Sequence, residues 1–169
     1  MHRIMACCLL MLLLAGCLGI AAGESATTAF IVVRHAEKAD DGSRDPPLSA
    51  AGQARAQALA RRLAGSGLVA VYATPFRRTQ QTAQAVATSA GLPVTTYSAD
   101  AAPANFAAEL RAHHRHGTVL VVGHSNTVPE IVASLCSCRI AALDENSYDG
   151  IYTIRIAPDG KASLDVGRQ

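Results

Sequence analysis

The chain contains no tryptophan, and four tyrosines and three phenylalanines are all the aromatic side chains in 169 residues. A core must therefore be assembled from aliphatic side chains and alanine, with helices packed closely on small residues. Charge of one sign is lacking too: 15 lysines and arginines face 13 acids, a formal net charge of +2, which leaves no basic footprint for nucleic acid. Five cysteines are too few, and too clustered towards the amino terminus, for a disulfide scaffold. No P-loop and no dinucleotide fingerprint occurs, and neither repeats nor a low-complexity linker interrupt the sequence.

The amino terminus opens on Met1-His2-Arg3, a short positive start, followed by an apolar stretch from Ile4 to Leu14. That stretch falls short of the ~20 apolar residues a membrane-spanning helix needs, and small residues follow it at once, the pattern of a secretory signal. Leu14-Ala15-Gly16-Cys17 resembles a bacterial lipobox, which predicts a signal over residues 1–16 and Cys17 as an acylated first mature residue. Cleavage near residue 23, after Ala21-Ala22-Gly23, is the alternative. The expectation is an exported, periplasmic protein held to the membrane by a lipid anchor only, with a tether over 17–29 and one domain over 30–169. Cys136 and Cys138, one residue apart, read as two small buried thiols; a strained bridge is the alternative in an oxidising compartment.

Within the domain, apolar runs alternate with helical patterns. Phe30–Arg34 and Thr118–Val122 lack any polar alternation and read as strands covered on both faces. Residues 39–47 form a loop; alanines and leucines at three- and four-residue steps make Ser49–Ala64 an amphipathic helix. Val69–Ala73 is a strand. Thr74-Pro75 then supplies an N-cap and first-turn proline for a helix over Phe76–Ala90, stopped by Gly91. A weaker strand, Val94–Tyr97, and helices over Asn105–Arg115 and Val128–Leu135 complete the alternation. Pro158-Asp159-Gly160 marks a turn between Tyr152–Ala157 and Lys161–Val166. The fold class expected is a three-layer α/β/α sandwich, with a mostly parallel sheet and a C-terminal antiparallel hairpin.

Parallel strands in such a sheet present their carboxyl ends at one edge, where these folds bind ligands. Arg34 and His35 end the first strand, His124 follows the central one, and Arg78 arrives at the same edge at the start of a helix, with that helix's free amides. Two imidazoles and two guanidinium groups around one volume suit a phosphoryl group, whose oxygens accept forked hydrogen bonds from arginine. Separately, each would read as a solvated charge, a loop histidine or a satisfied core histidine; their shared edge argues for function.

Four motifs occur in order: Arg34-His35-Ala36-Glu37-Lys38; Leu48-Ser49-Ala50-Ala51-Gly52-Gln53; Thr74-Pro75-Phe76-Arg77-Arg78-Thr79-Gln80-Gln81-Thr82-Ala83; and Gly123-His124-Ser125-Asn126. Together they resemble the histidine phosphatase superfamily, the phosphoglycerate-mutase-like family. That resemblance implies a phosphatase in which His35 attacks phosphorus to give a phosphohistidine, Arg34, Arg78 and His124 hold the phosphoryl oxygens, and water releases phosphate. It implies neither a metal nor an organic cofactor.

One component of that pattern is missing: Ser125 follows His124 where the phytase-like branch has an acid, so the proton donor for the leaving oxygen must come from elsewhere. Asp100, just past the third strand, is the candidate; Glu109 lies deeper in the next helix, and Glu37 could instead orient an arginine. Without an acid, easy leaving groups such as phosphohistidine would be favoured. The walls expected for the pocket are the loop 39–47 and the segment 98–106, and Asp40, Asp41 and Asp45 would disfavour a highly anionic substrate if they point inward. A modest phosphomonoester, such as a sugar phosphate, is the expected substrate, and a non-catalytic phospho-ligand binder is the rival from another class. Gly123–Thr127 also falls one residue short of a serine nucleophile elbow, but no histidine follows His124 to serve that serine. His113-His114-Arg115-His116 reads as a solvated helix end favoured by the dipole rather than a metal site.

Overall fold

The structure, a computed structural model, describes residues 27–169. The signal, Cys17, the cleavage alternative near residue 23 and the tether over 17–26 lie outside the described residues. Six strands form one sheet: β1 (Thr28–Arg34), β2 (Leu68–Ala73), β3 (Val94–Thr96), β4 (Gly117–Gly123), β5 (Gly150–Ile156) and β6 (Ala162–Arg168). Their order is β3-β2-β4-β1-β5-β6, with β1 to β4 parallel and the hairpin β5-β6 antiparallel at one side. The expected architecture is therefore present.

Four helices cover the two faces: α1 (Ala50–Leu63), α2 (Arg77–Ala90), α3 (Pro103–His113) and α4 (Thr127–Cys136). Because successive side chains of a strand point to opposite faces, the apolar runs divide cleanly. Phe30, Val32, Val119 and Val121 pack on Phe106 and Leu110 of α3 and on Ile131 and Leu135 of α4. Ile31, Val33, Leu120 and Val122 pack on Leu59 and Leu63 of α1 and on Val86 of α2. Each such fully buried side chain contributes roughly 1.5–3 kcal/mol. A polar residue anywhere in either run would lose that burial, which is why neither run alternates.

The start of β1 corrects the expected tether: the strand begins at Thr28, not Phe30, because Thr28 and Ala29 already pair with β4 on one side and β5 on the other. α3 starts two residues before the expected position, with Pro103 in the first turn, where its fixed φ suits a helix start. The cysteines also depart from expectation. Cys136 and Cys138 form a disulfide with Cα atoms 5.2 Å apart, and neither is buried. Ser137 between them adopts a left-handed φ of 55° at the end of α4, and that reversal brings its two neighbours together.

Two glycines hold the elements that carry the site. A side chain at Gly52, in the first turn of α1, would collide with the backbone carbonyl of Glu37, so only glycine lets α1 lie against the loop that follows β1. At Gly123 a Cβ would sit 3.0 Å from Thr127 Oγ1, the atom bonded to the His124 amide.

Candidate active site

At the carboxyl edge of β1 and β4 lies a cavity of about 340 Å³ lined by Arg34, His35, Lys38, Phe76, Arg78, Ala99, Asp100, His124, Ser125, Asn126, Thr127 and Glu145. The four side chains expected at one edge, Arg34, His35, Arg78 and His124, all line it, and so does Asp100, the candidate acid.

His35 is the best-defined of them. Its backbone amide donates to Gly123 O, the first hydrogen bond beyond the β1–β4 ladder, and the residue is 4% exposed yet borders the cavity. Nδ1 lies 2.8 Å from Ala36 O, which can only accept, so Nδ1 carries the proton and Nε2 carries the lone pair. Arg78 Nε donates to that Nε2 at 3.3 Å. Burial, aided by His124 and the two arginines, lowers the His35 pKa to about 4, so the ring is neutral across the ordinary pH range.

His124 packs edge-on against Phe76, with centroids 5.2 Å apart, and its ring centroid is 5.4 Å from that of His35. Its Nε2 is 2.9 Å from Thr74 Oγ1, which in turn meets Thr79 Oγ1 at 2.8 Å. Thr79 gives its hydroxyl proton to backbone carbonyls, so Thr74 donates to Thr79 and His124 Nε2–H donates to Thr74. Here the structure corrects the reading of Thr74 as an N-cap. Phe76 is the capping residue and makes no side-chain cap bond, while Thr74 orients His124 across 50 residues of sequence. Desolvation, then Arg78 and Arg34, lowers the His124 pKa to about 4.

Arg78 occupies the first turn of α2, with its guanidinium 4.5 Å from the Phe76 ring centroid and NH1 3.6 Å from Asp45. The same Asp45 carboxylate accepts the Arg77 amide, so the loop 39–47 supplies the missing cap of α2 and braces Arg78 together. No residue of that loop lines the cavity, and Asp41 is bonded to Ser43, so the loop is not the wall expected of it. The segment 98–106 does supply a wall, through Ala99 and Asp100. Glu109 borders a different cavity, beside Tyr97 and His113, and Glu37 orients an arginine: both its oxygens accept from Arg55 on α1. Burial raises the Tyr97 hydroxyl well above its usual range, and that hydroxyl closes on Val122 O under the site.

Arg34 is clamped by a segment that sequence reasoning did not single out. Its NH1 donates to the carbonyls of Asp144, Glu145 and Ser147, its NH2 to Glu145 Oε2, and its guanidinium stacks 4.2 Å from the Tyr148 ring centroid. Nε is buried and has no hydrogen-bond partner among the described residues. Ser125 Oγ donates to Glu145 Oε1 at 2.6 Å. That bond and the Arg34 charge hold the Glu145 carboxyl below its usual range, so it stays ionised and is no proton donor. Ser125 is thereby spent on a carboxylate and has no histidine as a base, which removes the basis of the serine-hydrolase rival.

Residues 30–99 match the family model described as histidine phosphatase superfamily, branch 1. Over that segment the chain is similar to the superfamily. The match runs from Phe30 in β1 to Ala99 and so includes Arg34, His35 and Arg78; Asp100 and His124 lie outside it. Solved structures share the fold of this chain. The protein histidine phosphatase SixA complexed with tungstate is 22% identical over 83% of this chain and 96% of its own, with a TM-score of 0.71. Phosphoserine phosphatase from Entamoeba histolytica, in complex with 3-phosphoglyceric acid, is 16% identical over 84% and 98%, with a TM-score of 0.63. Mycobacterial glucosyl-3-phosphoglycerate phosphatase is 17% identical over 84% and 99%, with a TM-score of 0.63. No curated protein matches the chain by sequence.

Proposed function

We propose that the protein is a phosphatase that hydrolyses a small phosphomonoester through a phosphohistidine formed on His35. The observation that carries this reading is the state of the ring: a neutral imidazole, its proton fixed on Nδ1 by Ala36 O, with Nε2 facing Arg78 in a cavity also lined by Arg34 and His124. In the first step Nε2 gives its lone pair to phosphorus, and the phosphorus–oxygen bond to the leaving group breaks. Arg78 moves its hydrogen bond from Nε2 to a phosphoryl oxygen, and the Arg34 Nε, a buried donor otherwise costing roughly 1–3 kcal/mol, takes another. Asp100 protonates the leaving oxygen. In the second step water attacks phosphorus, Asp100 takes its proton, and His35 departs as a neutral imidazole.

Lys38, exposed at the rim, adds a cation beyond the phosphoryl group, whereas Glu145 adds an anion. A substrate with limited further negative charge, such as a sugar phosphate, fits that balance. We also propose export and anchoring by acylation of Cys17, on the strength of the apolar run and lipobox-like tetrapeptide alone; Cys17→Ala should then abolish lipid labelling. The activity is tested by turnover of a chromogenic phosphomonoester by the wild type and by His35→Ala. A wild type no faster than the variant, while both still bind phosphate, would replace the enzyme with a phospho-ligand binder.

A further inference from the structure

The edge of the domain opposite the active site has a surface of its own. β1 begins there at Thr28, α3 ends there at His113, and the β5–β6 turn closes there over residues 157–161. Thr28 Oγ1 donates to His114 O, and Arg111 donates to Leu135 O and to Gly160 O, which ties three segments and the end of α4 together. Between them opens a second cavity of about 590 Å³, partly apolar, lined by Phe30, Ile156 and Pro158 together with Arg111, His114 and Arg115.

Charge is unevenly divided between the two edges. The basal edge carries Arg111, Arg115, Arg155 and Lys161, with His113 and His116 exposed beside them and Asp159 as the acid in the turn. Glu109 stands one helical turn above His113. The active-site edge is mixed: Asp40, Asp41, Asp45, Asp100, Asp144 and Glu145 stand beside Arg34, Lys38, Arg44, Arg77 and Arg78. The basal edge is therefore the more uniformly basic of the two.

The base is also where the chain arrives from its amino-terminal segment, whose sequence contains the apolar run Ile4–Leu14 and Cys17. From Cys17 to Thr28 the chain spans at most roughly 40 Å when fully extended. Whatever holds that segment holds the basal edge close to it.

We infer that the basal edge is a docking surface for the anionic phospholipid headgroups of a bilayer. Arg111, Arg115 and Lys161 meet headgroup phosphates, the partly apolar cavity accepts the glycerol part of one headgroup, and the active site is turned away into solvent. Each lysine or arginine near an anionic bilayer strengthens binding by roughly fivefold, and the attraction fades beyond a Debye length of about 10 Å at 0.1 M salt. The active-site edge, with cations and carboxylates interspersed, offers no comparable attraction, so the basal edge fixes the orientation.

The test uses the full chain with vesicles of phosphatidylcholine alone and of phosphatidylcholine mixed with phosphatidylglycerol. Its readout is the ratio of the two partition coefficients, compared among variants that all share the same amino terminus, so that the terminus contributes equally to each. The ratio should be well above one and fall with added salt; Arg115→Ala and Lys161→Ala should each lower it by roughly fivefold. Arg44→Ala, at the active-site edge, should leave it unchanged, and all three variants should hydrolyse a soluble phosphomonoester as the wild type does. A ratio of one, equal sensitivity to Arg44→Ala, or displacement from the mixed vesicles by duplex DNA at matched phosphate concentration would overturn the inference, the last in favour of a nucleic-acid partner.

Discussion

Replacing His35 by glutamine should make the protein less sensitive to acid, and the size of that effect follows from the burial of the ring. In the folded chain His35 titrates at about 4, against an ordinary value of 6.5. The unfolded chain therefore binds more protons between these values, and stability rises with pH across that window. The contribution is fully present above pH 6.5 and is lost as the pH falls through 4. Between pH 7 and pH 4 the difference of about 2.5 pH units corresponds to roughly 3 kcal/mol, a large part of the stability of a domain this size. Glutamine can still donate to Ala36 O but does not titrate, so the stability gap between wild type and His35→Gln should shift by that amount over the same interval. His124 titrates in both proteins, and its effect largely cancels in the difference. Urea denaturation at several pH values measures the shift. Parallel loss of stability in the two proteins would mean that the folded ring protonates at an ordinary pKa, and the neutral nucleophile would be lost with it. The kinetic counterpart is an acid limb of kcat/KM near pH 4 instead of 6.5.

Three further outcomes are expected. Arg78→Ala removes the donor nearest the attacking nitrogen and should reduce kcat/KM for phosphomonoesters by about 100-fold to 1000-fold, measured in steady-state kinetics. Asp100→Asn should slow alkyl phosphates by roughly 100-fold while leaving nitrophenyl phosphate, whose leaving oxygen needs no proton, within severalfold of wild type; equal losses on both would remove Asp100 from the acid role. Glu145→Gln removes a carboxylate paired with Arg34 and should tighten inorganic phosphate binding severalfold by calorimetry, whereas weaker binding would show that the carboxylate is needed to position Arg34.

The nucleophile and its neighbours were legible because each sits within two residues of an element end that apolar patterning marks. Arg34 ends β1 and His35 follows it, His124 follows β4 directly, and Arg78 is the second residue of α2. Contacts made across the sheet edge left no such mark. Thr74 reads locally as a cap, and its true partner is 50 residues away; Asp45 caps α2 from 32 residues upstream. Glu145 and Tyr148 lie in an irregular stretch with no periodicity. A topological signal for them did exist. α4 runs away from the active-site edge while β5, antiparallel to β1, must begin at it, so residues 137–149 are obliged to return across the site. The disulfide was misjudged because spacing alone does not reveal the left-handed turn at Ser137.

The central claim is a covalent bond between phosphorus and one imidazole nitrogen, and rapid acid-free quenching of the protein with a phosphorus-32 phosphomonoester tests it most directly. The account predicts alkali-stable, acid-labile label on the peptide that contains His35, absent in His35→Ala. Turnover without labelled protein, or acid-stable label on the peptide that contains Ser125, would contradict it.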